Sequence, residues 1–223
     1  MKKIIAGVAG LVMAMGAQAQ IGLWDDGKPA QPVTFGVRAG MNVANVGGDE
    51  DDAKSKIGFF GGLGVDFNIV NSLSINSGLF FTQKGCKTDD IDMDIEGYPM
   101  DANARFTMNF IELPVYLSYR LPLNLESSLQ VFFGPYFDYG VYGKATADVK
   151  FKGELHGEKV SQSMDLFDDD YDFKRFHVGL GLGAAYTWSR FSVGLSYQWG
   201  MTEVVADAES YWNNFNISVG YNF

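Results

Sequence analysis

The chain has 223 residues, 47% of them hydrophobic, and a mean hydropathy of −0.04, which excludes disorder by composition and suits a single domain. Its 27 acidic against 17 basic residues give a net charge of −10, which excludes a nucleic-acid partner, because phosphate binding needs clustered Lys and Arg. The single cysteine, Cys86, excludes an internal disulfide framework.

Met1-Lys2-Lys3 is a basic head, Ile4 to Gly16 is an apolar run, and Ala17-Gln18-Ala19 ends in small residues, the pattern of a secretory signal peptide over residues 1–19. As a helix that run covers roughly 20 Å, short of the ~30 Å hydrocarbon core. Cleavage is expected after Ala19. Residues 20–32, with Pro29 and Pro32, read as an irregular periplasmic lead-in.

From residue 33 to 223 the period is two. Val33 to Asn42, Ile57 to Val70, Ser72 to Gly85, Arg105 to Leu121 and Ser128 to Lys144 are predicted strands, followed by Arg175 to Trp188, Phe191 to Thr202 and Asn214 to Phe223. In the sixth segment Phe176, Val178, Leu180 and Leu182 alternate with His177, Gly179, Gly181 and Gly183. Short connections at 70–72, 122–127 and 189 alternate with long ones at 43–56, 86–104, 145–171 and 203–211. The pattern predicts an all-β fold, an eight-stranded antiparallel up-and-down barrel filling residues 33–223 as one domain. Parity shifts between Phe110 and Ile111, which predicts a bulge or the end of the embedded part.

One face of these strands is Phe, Leu, Val, Ile, Tyr and Trp throughout, and the other is Gly, Ser, Asn and a few charges. A soluble barrel with so polar an interior could hold neither a dry core nor an apolar ligand. Turned outward, the apolar face meets lipid while the closed sheet satisfies every backbone group. The aromatics sort into two belts. Phe35, Phe67, Tyr119, Tyr186, Trp188, Phe191, Tyr221 and Phe223 fall at the short-turn end, expected to be periplasmic. Phe59, Phe81, Tyr139, Phe176, Tyr197, Trp199 and Trp212 fall at the other.

Three motifs carry this chain's resemblance to a family. Ile57-Gly58-Phe59-Phe60-Gly61-Gly62-Leu63-Gly64, Phe80-Phe81-Thr82-Gln83-Lys84-Gly85, and Ile111-Glu112-Leu113-Pro114 followed by Tyr116 to Arg120 resemble strands of the small outer-membrane β-barrel domains labelled porin family. The resemblance covers roughly Phe35 to Phe223. It implies the outer membrane of a Gram-negative cell, lipid as the surrounding partner, and delivery to the barrel-assembly machinery through a C-terminal aromatic signal, here Tyr221 and Phe223. It implies no single activity.

The inward face places Arg38, Asp66, Lys84, Glu112, Arg120, Asp138 and Arg175 in one lumen, where mixed signs predict a salt-bridged plug; a gated ion path is the alternative. The four long loops hold 20 of the 27 acidic residues and 6 of the 17 Lys and Arg. Within them Asp90, Asp92, Asp94 and Glu96 alternate with Ile91, Met93 and Ile95, which reads as a strand with an acidic face before it reads as a Ca²⁺ site, since the turn glycine and distal glutamate of an EF-hand are absent. No metal or other cofactor is expected. His177, near Asp172, and His156 have no nucleophile at a defined spacing, and no enzymatic activity is expected. The reading is therefore a non-enzymatic outer-membrane barrel with a structural or surface-interaction role and an extracellular partner at its loops. A narrow solute channel is the alternative, and a rim-located lipid or peptide hydrolase a more distant one.

Overall fold

The computed structural model describes residues 24–48, 53–88, 91–95, 98–151, 159–165, 173–204 and 210–223. The proposed signal peptide, Asp90, Glu96, His156, the run Asp168 to Asp170, and Asp172 lie outside them. Ten strands follow in order: β1 (Val33–Gly48), β2 (Ala53–Val70), β3 (Leu73–Thr88), β4 (Ile91–Ile95), β5 (Tyr98–Pro122), β6 (Ser127–Phe151), β7 (Lys159–Asp165), β8 (Phe176–Trp188), β9 (Phe191–Glu203) and β10 (Ser210–Asn222).

Eight of them form the wall, in the cyclic order β1-β2-β3-β5-β6-β8-β9-β10, each antiparallel to its neighbours. The seam pairs β1 with β10 from Gly36↔Asn222 to Gly48↔Ser210, so no wall strand keeps an open edge along the barrel. β4 and β7 are additional to the eight strands predicted. They pair with the upper parts of β5 and β6, making a four-stranded sheet β4-β5-β6-β7 that rises beyond the barrel at the long-loop end.

Alternation sets which side chains leave the barrel. Phe35, Leu63, Leu117, Phe176, Val193 and Ile217 are exposed on the outer surface, while their sequence neighbours point inward. Tight ends hold the register. Ser189 adopts a left-handed φ of 54° in the two-residue β8–β9 turn, and Asn124 Oδ1 accepts the backbone N–H groups of Glu126 (2.9 Å) and Ser127 (2.8 Å) between β5 and β6. At the β2–β3 turn the lead-in docks: Asn71 and Ser72 donate their N–H groups to the carbonyls of Gly27 and Asp25. Trp24 stacks on Tyr119 with ring centroids 6.2 Å apart.

Two expectations change: the bulge expected near Phe110 is present at that level but lies in the partner strand, and one aromatic assigned to a belt points inward. The parity of β5 does not shift at Phe110: Met108, Phe110, Glu112, Pro114, Tyr116 and Ser118 are all buried on one inward face. The irregularity lies in the partner strand. The register passes from Asn109↔Tyr142 to Phe110↔Gly140, leaving Val141 without an opposite residue, and Val141 and Tyr142 are both exposed. Trp212, assigned by residue type to the outer belt, is only 2% exposed, because it shares parity with the inward Asn214 and Asn216.

Candidate functional site

The lumen is filled in three levels. Nearest the long-loop end, Trp212 packs with Ala44, Met108, Phe110 and Val204. The Phe110 ring meets Trp212 edge-on at 6.3 Å and His177 edge-on at 5.5 Å. These aromatics come from β5, β8 and β10 and meet within the lumen.

Beneath them lies a charged triad. Lys84 Nζ is 2.6 Å from Asp138 Oδ2 and 3.5 Å from Glu112 Oε2, and it stands 4.7 Å from the centre of the Tyr136 ring. The register explains the meeting: β3, β5 and β6 are consecutive in the wall, with Phe80 opposite Glu112 and Glu112 opposite Asp138. Lys84 is 1% exposed, a burial its charge tolerates because two carboxylates and an aromatic face surround it. Gln198 Nε2 donates to Glu112 Oε1 (2.8 Å) and to Tyr116 Oη (3.3 Å), and Asn214 Nδ2 donates to Gln198 Oε1 (2.9 Å). A lattice of amides thus carries the triad across to β9 and β10.

Glycines give the rings room. Tyr116 stacks on Phe132 at 5.4 Å and covers Gly181, where a Cβ would stand 2.5 Å from the tyrosine oxygen. At the short-turn end Asp66 Oδ1 accepts both Arg38 Nη2 (2.9 Å) and Asn76 Nδ2 (2.7 Å). Below this pair the lumen opens.

The inward charges named from sequence therefore divide. Lys84, Glu112 and Asp138 form one group and Arg38 with Asp66 another, while Arg120 lines the opening without joining either. Arg175 precedes β8 and is exposed, outside the buried groups, because its position is above the last rung that β6 and β8 share, Tyr139↔Phe176. His177 is buried, with Nε2 2.8 Å from the Lys174 carbonyl and Nδ1 3.3 Å from Thr202 Oγ1. Both ring nitrogens are thus engaged in local hydrogen bonds. Asp92 and Asp94 sit on β4 opposite Asp101 and Pro99. Among the described residues no group of three or more His, Cys, Asp or Glu is arranged to hold a metal ion. Sequence reasoning missed Tyr116, Tyr136, Gln198 and Asn214, whose inward parity was readable but whose mutual contacts depend on cross-strand register.

A closed sheet, an apolar exterior and a polar, ion-paired lumen meet their match in one family. Residues 18–206 match the family described as outer membrane protein beta-barrel domain. The chain belongs to that family. It is accordingly an eight-stranded outer-membrane barrel set in lipid. No curated protein matches it. Among solved structures it is similar to Ail, the attachment invasion locus protein of Yersinia pestis, in complex with the heparin analogue sucrose octasulfate, at 16% identity, covering 86% of this chain and 100% of that one with a TM-score of 0.40. Neisserial surface protein A is 12% identical over 86% of this chain and 100% of its own, with a TM-score of 0.41. The outer membrane protein OprG from Pseudomonas aeruginosa is 9% identical over 90% and 99%, with a TM-score of 0.39.

Proposed function

We propose that this barrel does its work at its long-loop surface, as a structural and surface-interaction protein of the outer membrane, with its lumen closed to solutes. The observation that carries this reading is the Lys84–Asp138–Glu112 triad lying under the Phe110, Trp212 and His177 contact, a stopper made of buried ion pairs and interlocked rings. The short turns and the lead-in face the periplasm, and the long loops face outward. Those loops hold 20 acidic residues against 6 basic ones, a field that favours a cationic partner surface. Tyr221 on the last strand and Phe223 just after it serve as the signal read during barrel assembly. Enclosed by rings and amides, Lys84, Glu112 and Asp138 act as structure and not as a catalytic or metal-binding group.

Planar-bilayer recording tests the reading. The purified protein and its Glu112→Ala variant are both expected to stay silent, because the rings above the triad still fill the lumen. Steady conductance in the parent protein would overturn the closed-lumen reading in favour of a narrow channel, and conductance appearing only in Glu112→Ala would make the triad a gate.

A further inference from the structure

The stopper blocks one end of the lumen only. Towards the short-turn end lie two cavities, one of about 280 Å³ at the mouth and one of about 80 Å³ deeper in, which share Gln130, Thr187 and Asn222 as lining residues. The barrel is a blind cup.

Its charge is not balanced. The mouth is lined by Arg120, Arg190 and Asp66, and Asp66 is already engaged by Arg38 and Asn76. Among the described residues neither of the two remaining guanidinium groups reaches a carboxylate; there Arg190 touches only the Tyr221 hydroxyl, at 3.4 Å, and Arg120 makes no side-chain hydrogen bond or ion pair. Arg120 is half-buried and Arg190 exposed, and both border the same concave polar wall, where a doubly charged oxyanion can pair with the two guanidinium groups together. Arginine suits the task through its planar fork of donors, which matches phosphate oxygens two at a time. The hydroxyls of Thr34, Ser128 and Thr187 and the amide of Gln130 line the same space and can serve the remaining oxygens.

We propose that the cup at the short-turn end is a binding site for a small phosphate-bearing anion, held by Arg120 and Arg190. On the orientation argued above the site faces the periplasm. The phosphate could belong to a free solute or to a phospholipid headgroup from the inner leaflet, since the recognising chemistry is the same. The proposal is independent of the surface role, and its failure would leave that reading untouched.

The probe is inorganic phosphate, titrated calorimetrically into the full protein, first in a neutral glycoside detergent and then in phospholipid nanodiscs. Saturable binding in detergent is expected, weakened about tenfold by Arg120→Gln or Arg190→Gln and lost in the double variant. Lys174→Gln at the opposite end, where Lys174 pairs with Glu203 at 2.8 Å, is expected to bind as the parent does. Retained heat-modifiable mobility on SDS gels certifies that each variant is folded. Binding in both media assigns the site to a free solute, and binding in detergent that disappears in nanodiscs assigns it to a lipid phosphate. Absence of saturable binding in detergent, or affinity unchanged in both arginine variants, overturns the proposal.

Discussion

Replacing Lys84 with methionine removes the cation and keeps most of the side-chain volume. Asp138 and Glu112, opposite one another on β6 and β5 and both buried, would then face each other with no positive charge between them. Breaking a buried ion pair by deleting one partner costs about 3–5 kcal/mol, most of it the penalty of the uncompensated charge left behind. The ammonium contact with Tyr136 at 4.7 Å adds on the order of 1–2 kcal/mol because it is desolvated. Set against a folding free energy of about 5–15 kcal/mol, such a loss is large. The assay is denaturant unfolding of the protein in lipid vesicles, together with the temperature at which the unboiled species disappears on SDS gels. Lys84→Met should unfold at clearly lower denaturant, and Lys84→Met with Asp138→Leu and Glu112→Gln should recover most of the difference, since a neutral interior carries no stranded charge. A single variant as stable as the parent, within about 1 kcal/mol, would refute the claim that the triad is a mutually compensating unit.

Two further predictions concern the aromatic interior. A variant retaining Trp212 as its sole tryptophan should be protected from quenching by brominated lipid, whereas one retaining only Trp188, which is 56% exposed on the outer surface, should be strongly quenched. Equal quenching of the two would place Trp212 in lipid. Gly181→Val should destabilise the barrel by about 1–3 kcal/mol in the same unfolding assay, because the new side chain enters the space of Tyr116; Gly61→Ala, whose Cβ would meet nothing nearer than 3.7 Å, should fall within about 0.5 kcal/mol of the parent.

The wall strands were legible because lipid and lumen impose opposite chemistry on alternate residues. Leu180 and Gly181, or Ile217 and Ser218, report their faces without any knowledge of neighbours. Legibility ended where that contrast ends. Above the outer aromatic belt, β4, β7 and the ends of β5 before Arg105 and of β6 beyond Tyr139 are clear of the wall, so alternation weakens and only pairing defines them. Trp212 misled for a related reason: the preference of tryptophan for membrane interfaces is a statement about residue type, whereas side-chain direction is fixed by parity with Asn214. The apparent shift at Phe110 has the same origin. A large aromatic on the inward face looks like an error of phase until β10 and β8 bring Trp212 and His177 against it. Of the inward charges, membership of the lumen was readable residue by residue, but the division into a triad around Lys84 and a pair around Asp66 depends on which strands adjoin, a property of the closed sheet.

The two 25-residue strands have a mechanical consequence. Because β5 and β6 run without interruption from the short turn at 122–127 to the sheet above the membrane, a load applied at the outer tip pulls along the strand axes. Such a load shears a whole ladder of hydrogen bonds together and cannot peel them one at a time. The bulge at Val141 is the one place along this shaft where the ladder loses step, and a bulged strand bends there. The upper sheet is thus a stiff lever set on a single flexural point. Force or torque taken up by that sheet is delivered to the rung of Phe110 and Gly140, two rungs from the Glu112–Asp138 rung beside Lys84.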